Sequence, residues 1–251
     1  MRIIISPAKK MKVNTDSFSF QELPMFLSQA EQILKQLRRM SYAELKTLWK
    51  CNDQIAAQNI ERIQTMDLRQ RLTPALLAYD GIQYRYMAPG VFTNQEFAYV
   101  KEHLRILSGF YGILRPFDGV APYRLEMGAK LSLGNSENLY CYWGSRLAEA
   151  LFSESDYIIN LASQEYSRCI SSYIPAGKQF LTCVFGDREN GKVIEKGTLC
   201  KMARGEMVRW MAQEGVENLK RLKEFSGLGY QFSPAESTQT TYVFVKEVTM
   251  H

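Results

Sequence analysis

Three arginines lie on a stretch of chain that is rich in glycine and proline. Residues 104–128 carry Arg105, Arg115 and Arg124, with Tyr123 beside the last of them, among four glycines and two prolines. Backbone that is fixed in this way lowers the entropy that an arginine loses when its guanidinium binds an anion in a two-pronged geometry. The pattern therefore predicts an anion-binding segment that includes these four side chains.

An internal ion-pair network is the other interpretation of the same arginines. Asp118 and Glu126 lie in the same stretch and would neutralise Arg115 and Arg124 if the chain folded back on itself. Charged groups that leave water are normally paired in this way. Residue chemistry alone leaves both interpretations open.

A second basic segment, ISPAKK, follows an apolar run that predicts an opening strand. Pro7 ends that strand because it holds Ser6 in extended geometry. Lys9 then lies just beyond the carboxyl end of the strand, where α/β proteins place ligand-binding groups. A solvated basic loop fits the segment equally well. A phosphate loop does not, since the segment contains no glycine.

An aromatic and basic pattern follows the turn at Asp80-Gly81, where Tyr84 and Tyr86 flank Arg85. Such interleaving suits base stacking combined with phosphate contact. It suits a strand with a half-buried aromatic face equally well, so the signal for a binding site is weak.

Polar residues gather where a short apolar strand ends. In the sequence INLASQEY, Asn160, Ser163 and Tyr166 are candidates for orienting a small ligand. Glu165 in this motif, and Glu126 in the arginine-rich stretch, are the candidate acid–base residues. The alternative is an ordinary helix N-cap at Ser163, which would not require an asparagine inside the apolar strand.

Lys201 and Arg204 share one side of a predicted helix, CKMARGEMVRWM, while its apolar residues fall on the other side. The ordinary interpretation is an amphipathic helix with a solvated face. If the helix lay beside the strand ends, both cations would join Lys9, Arg115 and Arg124 in one basic cleft.

The elements that must position these residues are strands mixed with helices. Strands are predicted at 2–6, 75–79, 157–161, 179–185, 192–195 and 240–248, and Asn190-Gly191 predicts a hairpin turn between the fourth and the fifth. We therefore expect an α/β (mixed α+β) fold, a single compact domain over residues 1–251 with a mixed sheet surrounded by helices.

Three helices carry clear local signals. One is periodic from 27 to 39, and one begins at the capping box of Ser41 and Glu44. The third begins at Thr93 or Asn94, with Glu96 near its third position, and is expected to end at a left-handed cap at Ser108-Gly109.

Composition restricts the classes of function. The chain has 251 residues, a net charge of +5 and no apolar run of membrane-spanning length, so we expect a cytoplasmic protein without a membrane partner. Five scattered cysteines without a CxxC pair argue against disulfides and a cysteine-rich zinc site, and two histidines argue against a histidine-rich metal site. No metal or other cofactor is expected. Mild basicity permits an anionic partner.

Taken in order, these segments resemble the YaaA family of bacterial proteins, also called the UPF0246 or peroxide stress protein family. The matching residues are ISPAK at 5–9, LR.LSG.YG.LRP.D...PYRLEMG at 104–128, LY.YWG at 139–144, NLAS.EY at 160–166 and K.ARG.M.R at 201–209. They span nearly the whole chain. The sequence departs from the family pattern after Asp80-Gly81, where bulkier side chains replace an expected glycine. It departs again at Lys10, where many members carry threonine.

The resemblance implies a cytosolic protein with a compact α/β fold particular to the family. It implies a role in limiting damage from hydrogen peroxide, linked to keeping unincorporated iron low. It also implies DNA binding through a positively charged cleft and a helix-hairpin-helix-like element. Two stretches are candidates for that element, the glycine turn after Leu107 and the helix pair at 41–64. Pro116 argues against the first, since its ring would break a second helix.

Two hypotheses of function follow. The leading one is a monomeric DNA-binding stress protein that contacts the phosphates of duplex or distorted DNA with little sequence preference. Its candidate DNA- or anion-binding residues are Lys9, Arg105, Arg115, Tyr123, Arg124, Lys201 and Arg204. The rival is an enzyme acting on a nucleotide or nucleobase, with Glu165 or Glu126 as the acid–base residue and a small phosphorylated ligand on the arginines. A third possibility is a scaffold whose arginines only hold its own core together.

Overall fold

The structure is a computed structural model that describes residues 1–13 and 18–247. The strands are β1 (Arg2–Ile5), β2 (Lys10–Met11), β3 (Thr73–Pro74), β4 (Tyr79–Asp80), β5 (Leu104–Ser108), β6 (Gly112–Leu114), β7 (Gly119–Val120), β8 (Tyr157–Leu161), β9 (Gln179–Glu189), β10 (Lys192–Ile194), β11 (Gln231–Phe232) and β12 (Thr241–Glu247). The α-helices are α1 (Leu27–Leu37), α2 (Tyr42–Trp49), α3 (Asp53–Thr65), α4 (Ala75–Ala78), α5 (Ile82–Met87), α6 (Asn94–His103), α7 (Leu139–Trp143), α8 (Arg146–Glu154), α9 (Gln164–Ser171) and α10 (Gly197–Glu214). Short 3-10 helices cover Pro89–Val91, Leu219–Glu224 and Gly227–Gly229.

A mixed sheet forms the centre of the fold. Its strand order is β11-β12-β9-β8-β1-β5-β6, with β10 paired to β9. The inner pairs from β12 to β5 are parallel, and the pairs at the ends of the order, β11-β12 and β5-β6, are antiparallel. The predicted α/β class with a mixed sheet and surrounding helices is confirmed.

β1 lies in the middle of the sheet and is buried on both faces, since Ile3, Ile4 and Ile5 are all fully inaccessible to solvent. A continuous apolar run is what a strand covered on both faces requires. Ile5 pairs with Ile106 on one side and with Leu161 on the other. The carboxyl ends of these parallel strands therefore meet at one edge of the sheet.

Local signals located several elements correctly. The 157–161 strand is observed as predicted, and both capping boxes are formed, with Thr93 as the N-cap of α6. Asn190 and Gly191 have φ values of 49° and 77°, as a two-residue hairpin turn requires. Of the strand predicted at 240–248, residues up to Glu247 form β12, and residue 248 lies outside the described residues.

The strand predicted at 75–79 is wrong for most of its length. Ala75–Ala78 forms one turn of helix, and only Tyr79 belongs to a strand. Pro74 stands at the N-cap with φ −53°, a value that suits a helix start, and Ala-Leu-Leu-Ala has higher helix than strand propensity.

The helix expected to run to Ser108-Gly109 is also shorter than predicted. It ends at His103, and Leu104–Ser108 forms a fully buried strand beside β1. Pairing with a strand about a hundred residues earlier outweighs the helical spacing of the apolar residues. The glycine turn that follows joins β5 to β6 in a strand hairpin, so it is not a helix-hairpin-helix element.

The second candidate for that element is a pair of helices. α2 and α3 are joined by three residues, in which Lys50 adopts a left-handed conformation and Asn52 caps α3. DNA contact by this pair stays a prediction. No described helix has the length and hydropathy needed to cross a membrane.

Candidate functional site

A pocket of about 460 Å³ lies at the edge of the sheet where the parallel strands end. We call it the basic pocket. Its lining is residues 6–10 after β1, residues 80–84 around the start of α5, residues 123–126, Ser163, Glu165 and Tyr166 at the start of α9, and Lys201 and Arg204 of α10. Nine of the twelve predicted site residues are among them: Lys9, Tyr123, Arg124, Glu126, Ser163, Glu165, Tyr166, Lys201 and Arg204.

Two serines hold the floor of the basic pocket together. The backbone N–H of Ser163 donates a hydrogen bond of 2.8 Å to Oγ of Ser6, and the two hydroxyl oxygens lie 3.2 Å apart. Ser163 occupies the N-cap position of α9, but its side chain accepts no hydrogen bond from the helix. The Tyr84 hydroxyl donates to the Ser6 carbonyl at 3.0 Å. The end of β1 is thus tied to both α9 and α5.

A close helix contact places the two cations of α10. A Cβ added to Gly205 would lie 2.1 Å from the Gln83 carbonyl oxygen, so only glycine permits α10 to approach α5 this closely. Gly81 plays a similar part, since a Cβ there would lie 2.8 Å from Cβ of Ala8. These two contacts bring Lys201 and Arg204 next to the segment that follows β1.

Glu126 is the carboxylate at the centre of the cationic lining. Lys9 Nζ lies 3.0 Å from its Oε1, and Nη2 of Arg124 lies 3.5 Å from the same oxygen. Arg124 Nη2 also donates to the Trp49 carbonyl at 3.4 Å. Its buried Nε has no hydrogen-bond partner within the described residues. The internal network and the basic cleft, which sequence left as alternatives, therefore share Arg124.

In the part of the chain that the structure describes, Arg204 has fewer partners than Arg124, the other largely buried arginine of the pocket. Its side chain is 14% exposed, although the helical pattern placed it on a solvated face, and its nearest carboxylate oxygen is Oε2 of the half-exposed Glu195 at 3.7 Å. Within residues 1–13 and 18–247 its buried Nε has no acceptor. A largely buried guanidinium with one unpaired N–H group and one long ionic contact carries a desolvation cost that an anionic ligand would relieve.

Three buried tyrosines complete the lining, namely Tyr84, Tyr123 and Tyr166. The Tyr123 hydroxyl lies 2.8 Å from that of Tyr79 and 2.6 Å from Oγ of Ser108. Burial raises the pKa of Tyr123 to about 12 and raises those of Tyr84 and Tyr166 as well. The three side chains are therefore neutral phenols at physiological pH.

Glu165 supports a neighbouring loop. Its Oε1 accepts a hydrogen bond from the backbone N–H of Gly128 at 2.9 Å, and its carbonyl accepts one from the Tyr140 hydroxyl at 2.9 Å. The residue is exposed. Of the two candidate acid–base residues, Glu126 is therefore the more enclosed. The carboxylate of Glu165 is exposed and accepts a hydrogen bond from the backbone.

Arg105 lies away from the basic pocket. Its side chain is 6% exposed, and Glu154 accepts a hydrogen bond from its Nε at 3.0 Å. Arg2 reaches the same carboxylate. Burial alone would raise the pKa of Glu154, but these two arginines lower it below its ordinary value. Arg105 therefore has a complete set of internal partners.

Arg115 and Asn160 are also outside the lining. Arg115 pairs with Glu22 and, through Nε at 3.2 Å, with the buried Asp118. Asn160 accepts a hydrogen bond from the Ala162 backbone N–H at 2.9 Å, which shapes the turn from β8 to α9. The buried position of this asparagine is explained by that turn.

Sequence reasoning missed several lining residues. Lys10 departs from the family pattern, and Asp80 and Gln83 belong to a segment whose sequence shows only an aromatic and basic pattern, yet all three line the pocket. The useful signal there was Gly81, because a glycine between a strand and a helix marks a place where another part of the chain comes close. Among the described residues, no group of three or more His, Cys, Asp or Glu side chains is placed to hold a metal ion.

Comparison with known proteins gives a consistent result. The family model described as peroxide stress protein YaaA matches residues 1–236. A UPF0246 protein of Agathobacter rectalis is 50% identical over 248 residues, which cover 99% of this chain and all of the relative. A UPF0246 protein of Desulfitobacterium hafniense is 52% identical over 246 residues, 98% of each chain. One of Lactiplantibacillus plantarum is 48% identical over 245 residues, 98% of this chain and 99% of the relative.

Proposed function

Because the chain belongs to the YaaA (UPF0246) family of peroxide stress proteins, we propose that it acts in that response by binding DNA through the basic pocket. Phosphate groups are the ligands of the pocket cations, and sequence preference is slight. The protein acts in the cytoplasm as a monomer and without a cofactor. The link to intracellular iron that family membership implies belongs to the same proposal.

Arg204 is the residue that most strongly supports phosphate binding in the basic pocket. A guanidinium that is largely buried is normally bonded to carboxylates or carbonyl groups, as Arg105 is through Glu154. Arg204 lines the basic pocket, and its buried Nε has no acceptor among the residues that the structure describes. A phosphate oxygen is the partner that matches its charge and geometry.

The charge of the lining supports the same conclusion. The cations Lys9, Lys10, Arg124, Lys201 and Arg204 outnumber the carboxylates Asp80, Glu126 and Glu165. Of the cations, Lys9, Lys10 and Lys201 are exposed, and Lys10 and Lys201 can follow a phosphate backbone across the mouth of the pocket. The α2–α3 helix pair provides a second place for backbone contact, as helix-hairpin-helix-like elements do.

A second candidate function is an enzyme that acts on a nucleotide or nucleobase. It is favoured by the enclosed position of Glu126, whose side chain is 17% exposed and in contact with Lys9 and Arg124. A carboxylate held in this way serves as a proton acceptor when a ligand N–H or O–H is brought to it.

In neither of these two functions do the buried cysteine thiols react with peroxide. Burial raises the pKa of Cys169 and of Cys183 to about 12 and raises that of Cys200. These three side chains stay protonated near neutral pH, and the thiol is far less reactive than the thiolate.

The proposal is tested by measuring the affinity for a short duplex across a salt series. We expect log Kd to rise steeply with log salt, and Arg204→Ala to weaken binding at every salt concentration. Arg221→Ala is the matched control, because Arg221 pairs with Glu214 and Glu224 outside the pocket. Salt-independent binding, or equal losses in both variants, would refute DNA binding by the basic pocket. Glu126→Gln separates the enzyme candidate, since loss of peroxide protection with DNA affinity intact would favour catalysis.

A further inference from the structure

The basic pocket is too small for double-stranded DNA and large enough for one nucleotide. Its volume of about 460 Å³ lies in the range of sites that enclose a small organic ligand. Bases inside a duplex are stacked and paired, so an intact duplex presents only its outer phosphates to such a pocket. A nucleotide that has left the stack can enter it.

The guanidinium groups suit one phosphate. Arg124 and Arg204 are both largely buried, and each has a buried Nε without an acceptor within the described residues. Arg204 has Glu195 as its ionic neighbour at 3.7 Å, and that carboxylate is half exposed. Replacing so weak a contact with a phosphate oxygen loses little and satisfies a buried cation.

The aromatic and apolar lining suits a base. Tyr84, Tyr123 and Tyr166 line the pocket together with Pro7 and Leu125. The tyrosine hydroxyls of Tyr84 and Tyr123 are already bonded to protein groups, so the rings offer mainly apolar surface. Stacking on aromatic rings is available to any base, because every base has a π-face.

The carboxylates of the lining favour a single nucleotide over a ligand with several phosphates. Glu126 and Asp80 are both less than one-fifth exposed and both line the pocket. They repel additional phosphates, but they accept hydrogen bonds from the N–H groups on the edge of a base. A ligand with one phosphate and several N–H donors satisfies cations and carboxylates together.

We propose that the basic pocket receives a nucleoside monophosphate unit, presented to it as an unpaired nucleotide of DNA. The phosphate lies on Arg124 and Arg204, and the base lies among the tyrosines with its edge toward Glu126. This inference rests on the proposed DNA binding and adds the structural form of the DNA. A free mononucleotide carries the same chemistry and is distinguished by the experiment.

The experiment compares three DNAs of one sequence by fluorescence anisotropy. They are a fully paired 20-mer duplex, the duplex with a single-nucleotide bulge, and the bulge with an abasic site in place of the nucleotide. Binding of free dAMP is measured in parallel by calorimetry. We expect the bulged duplex to bind ~10-fold more tightly than the paired one, and the abasic bulge to lose most of that gain.

Two variants test whether the preference for bulged DNA depends on the basic pocket. Ile82→Trp fills the lining without changing its charge, and Arg204→Ala removes the phosphate partner, so each should bring the affinity for the bulged duplex down to that of the paired duplex. Ile194→Trp is the control, since Ile194 is an exposed apolar residue of β10 outside the pocket. Circular dichroism and urea unfolding establish that each variant is folded.

The outcomes separate this inference from the proposed function. A bulge preference that Ile82→Trp abolishes supports both. Tight dAMP binding that requires Arg204, without any bulge preference, supports the nucleotide site and assigns it to a free nucleotide. Equal binding of paired and bulged DNA with no dAMP binding overturns the nucleotide site while DNA binding stands. No binding of any DNA and no binding of dAMP overturns both.

Discussion

The backbone N–H of Ser163 donates a hydrogen bond of 2.8 Å to the hydroxyl oxygen of Ser6, which joins the ends of the neighbouring parallel strands β1 and β8. The bond fixes the start of α9 against the segment that carries Lys9. It lies under the basic pocket, so the positions of Tyr166 and Lys9 relative to each other depend on it.

Replacing Ser6 with alanine should destabilise the protein by about 1–2 kcal/mol, because the Ser163 N–H loses its acceptor in a partly buried place. Urea unfolding gives the free energy directly. Ser28→Ala is the matched control, since Ser28 is exposed and its side-chain hydrogen bond within the described residues goes to the adjacent Gln29, so the midpoint should shift very little. An unchanged midpoint in Ser6→Ala would mean that the bond does not hold the two strand ends together.

Alanine substitutions at Arg105 and at Arg204 should have opposite effects. The first should lower stability and keep DNA affinity, and the second should keep stability and lower DNA affinity. Arg105→Ala leaves the partly buried Glu154 with Arg2 as its remaining arginine partner and should cost about 2–3 kcal/mol of unfolding free energy. Arg204→Ala removes a cation whose ionic contact within the described residues is 3.7 Å long and should change stability by less than about 1 kcal/mol. Paired measurements of unfolding and DNA affinity check this. Arg204→Ala should lose affinity, and Arg105→Ala should keep it while folded.

Lys201 should contribute to the salt dependence of DNA binding. Each lysine that neutralises a phosphate releases counterions, so Lys201→Ala should reduce the slope of log K against log salt by about 1. Lys192→Ala, on the exposed β10 strand, should leave the slope as it is in the wild type. A slope that both substitutions change equally would point to a diffuse charge effect in place of a contact at the pocket.

Asp118 should make stability depend on pH. Burial raises its pKa to about 6, more than the hydrogen bonds and charge of Arg115 lower it. Between roughly pH 4 and pH 6 the folded state holds a proton that the unfolded state has released, so the free energy of unfolding falls as pH rises, by about 3 kcal/mol in total.

Comparison with Asp118→Asn isolates this carboxyl group from the others. The free energy of unfolding of the wild type, relative to that of Asp118→Asn, should fall as pH rises from 4 to 7. Above pH 7 the difference should be constant. A difference that does not vary with pH would show that Asp118 is ionised throughout in the folded state.

Gly205→Ala should separate α10 from α5. The added methyl would meet the Gln83 carbonyl at 2.1 Å, and backbone cannot yield as a side chain can, so we expect a loss of about 2–3 kcal/mol. Gly197 is on the same helix, and a Cβ added there would meet no described group within 4 Å beyond its own helix. Gly197→Ala should therefore be neutral or stabilising by less than about 1 kcal/mol. Equal unfolding midpoints in the two variants would contradict the close helix contact.

Some of the fold could be predicted because the signal is local. A capping box needs only Ser41 and Glu44, and the hairpin turn needs only Asn190 and Gly191, so neighbouring residues suffice. The segment 104–108 is different. Its apolar spacing fits a helix, and its pairing with Ile3–Ile5 decides in favour of a strand. No window of neighbouring residues contains that information.

The same limit applies to the candidate site. Strand ends and basic residues predict one cleft of Lys9, Arg115, Arg124, Lys201 and Arg204, and the structure places all of these except Arg115 around one pocket. Arg105 looked equally suitable, and what removes it is Glu154, a partner 49 positions away. Residue type shows which side chains can bind an anion, but only the folded chain shows which of them are already occupied.

The basic pocket is assembled from segments that are far apart along the chain, between Ser6 and Arg204, and this imposes an order on its formation during synthesis. Lys9 leaves the ribosome nearly two hundred residues before Arg204, and α10 must then dock on α5 through Gly205. A growing chain therefore lacks the complete set of cations until α10 has left the ribosome. Ribosomal and messenger RNA surround it during that time, and the lining of the pocket is completed only after α10 has been synthesised.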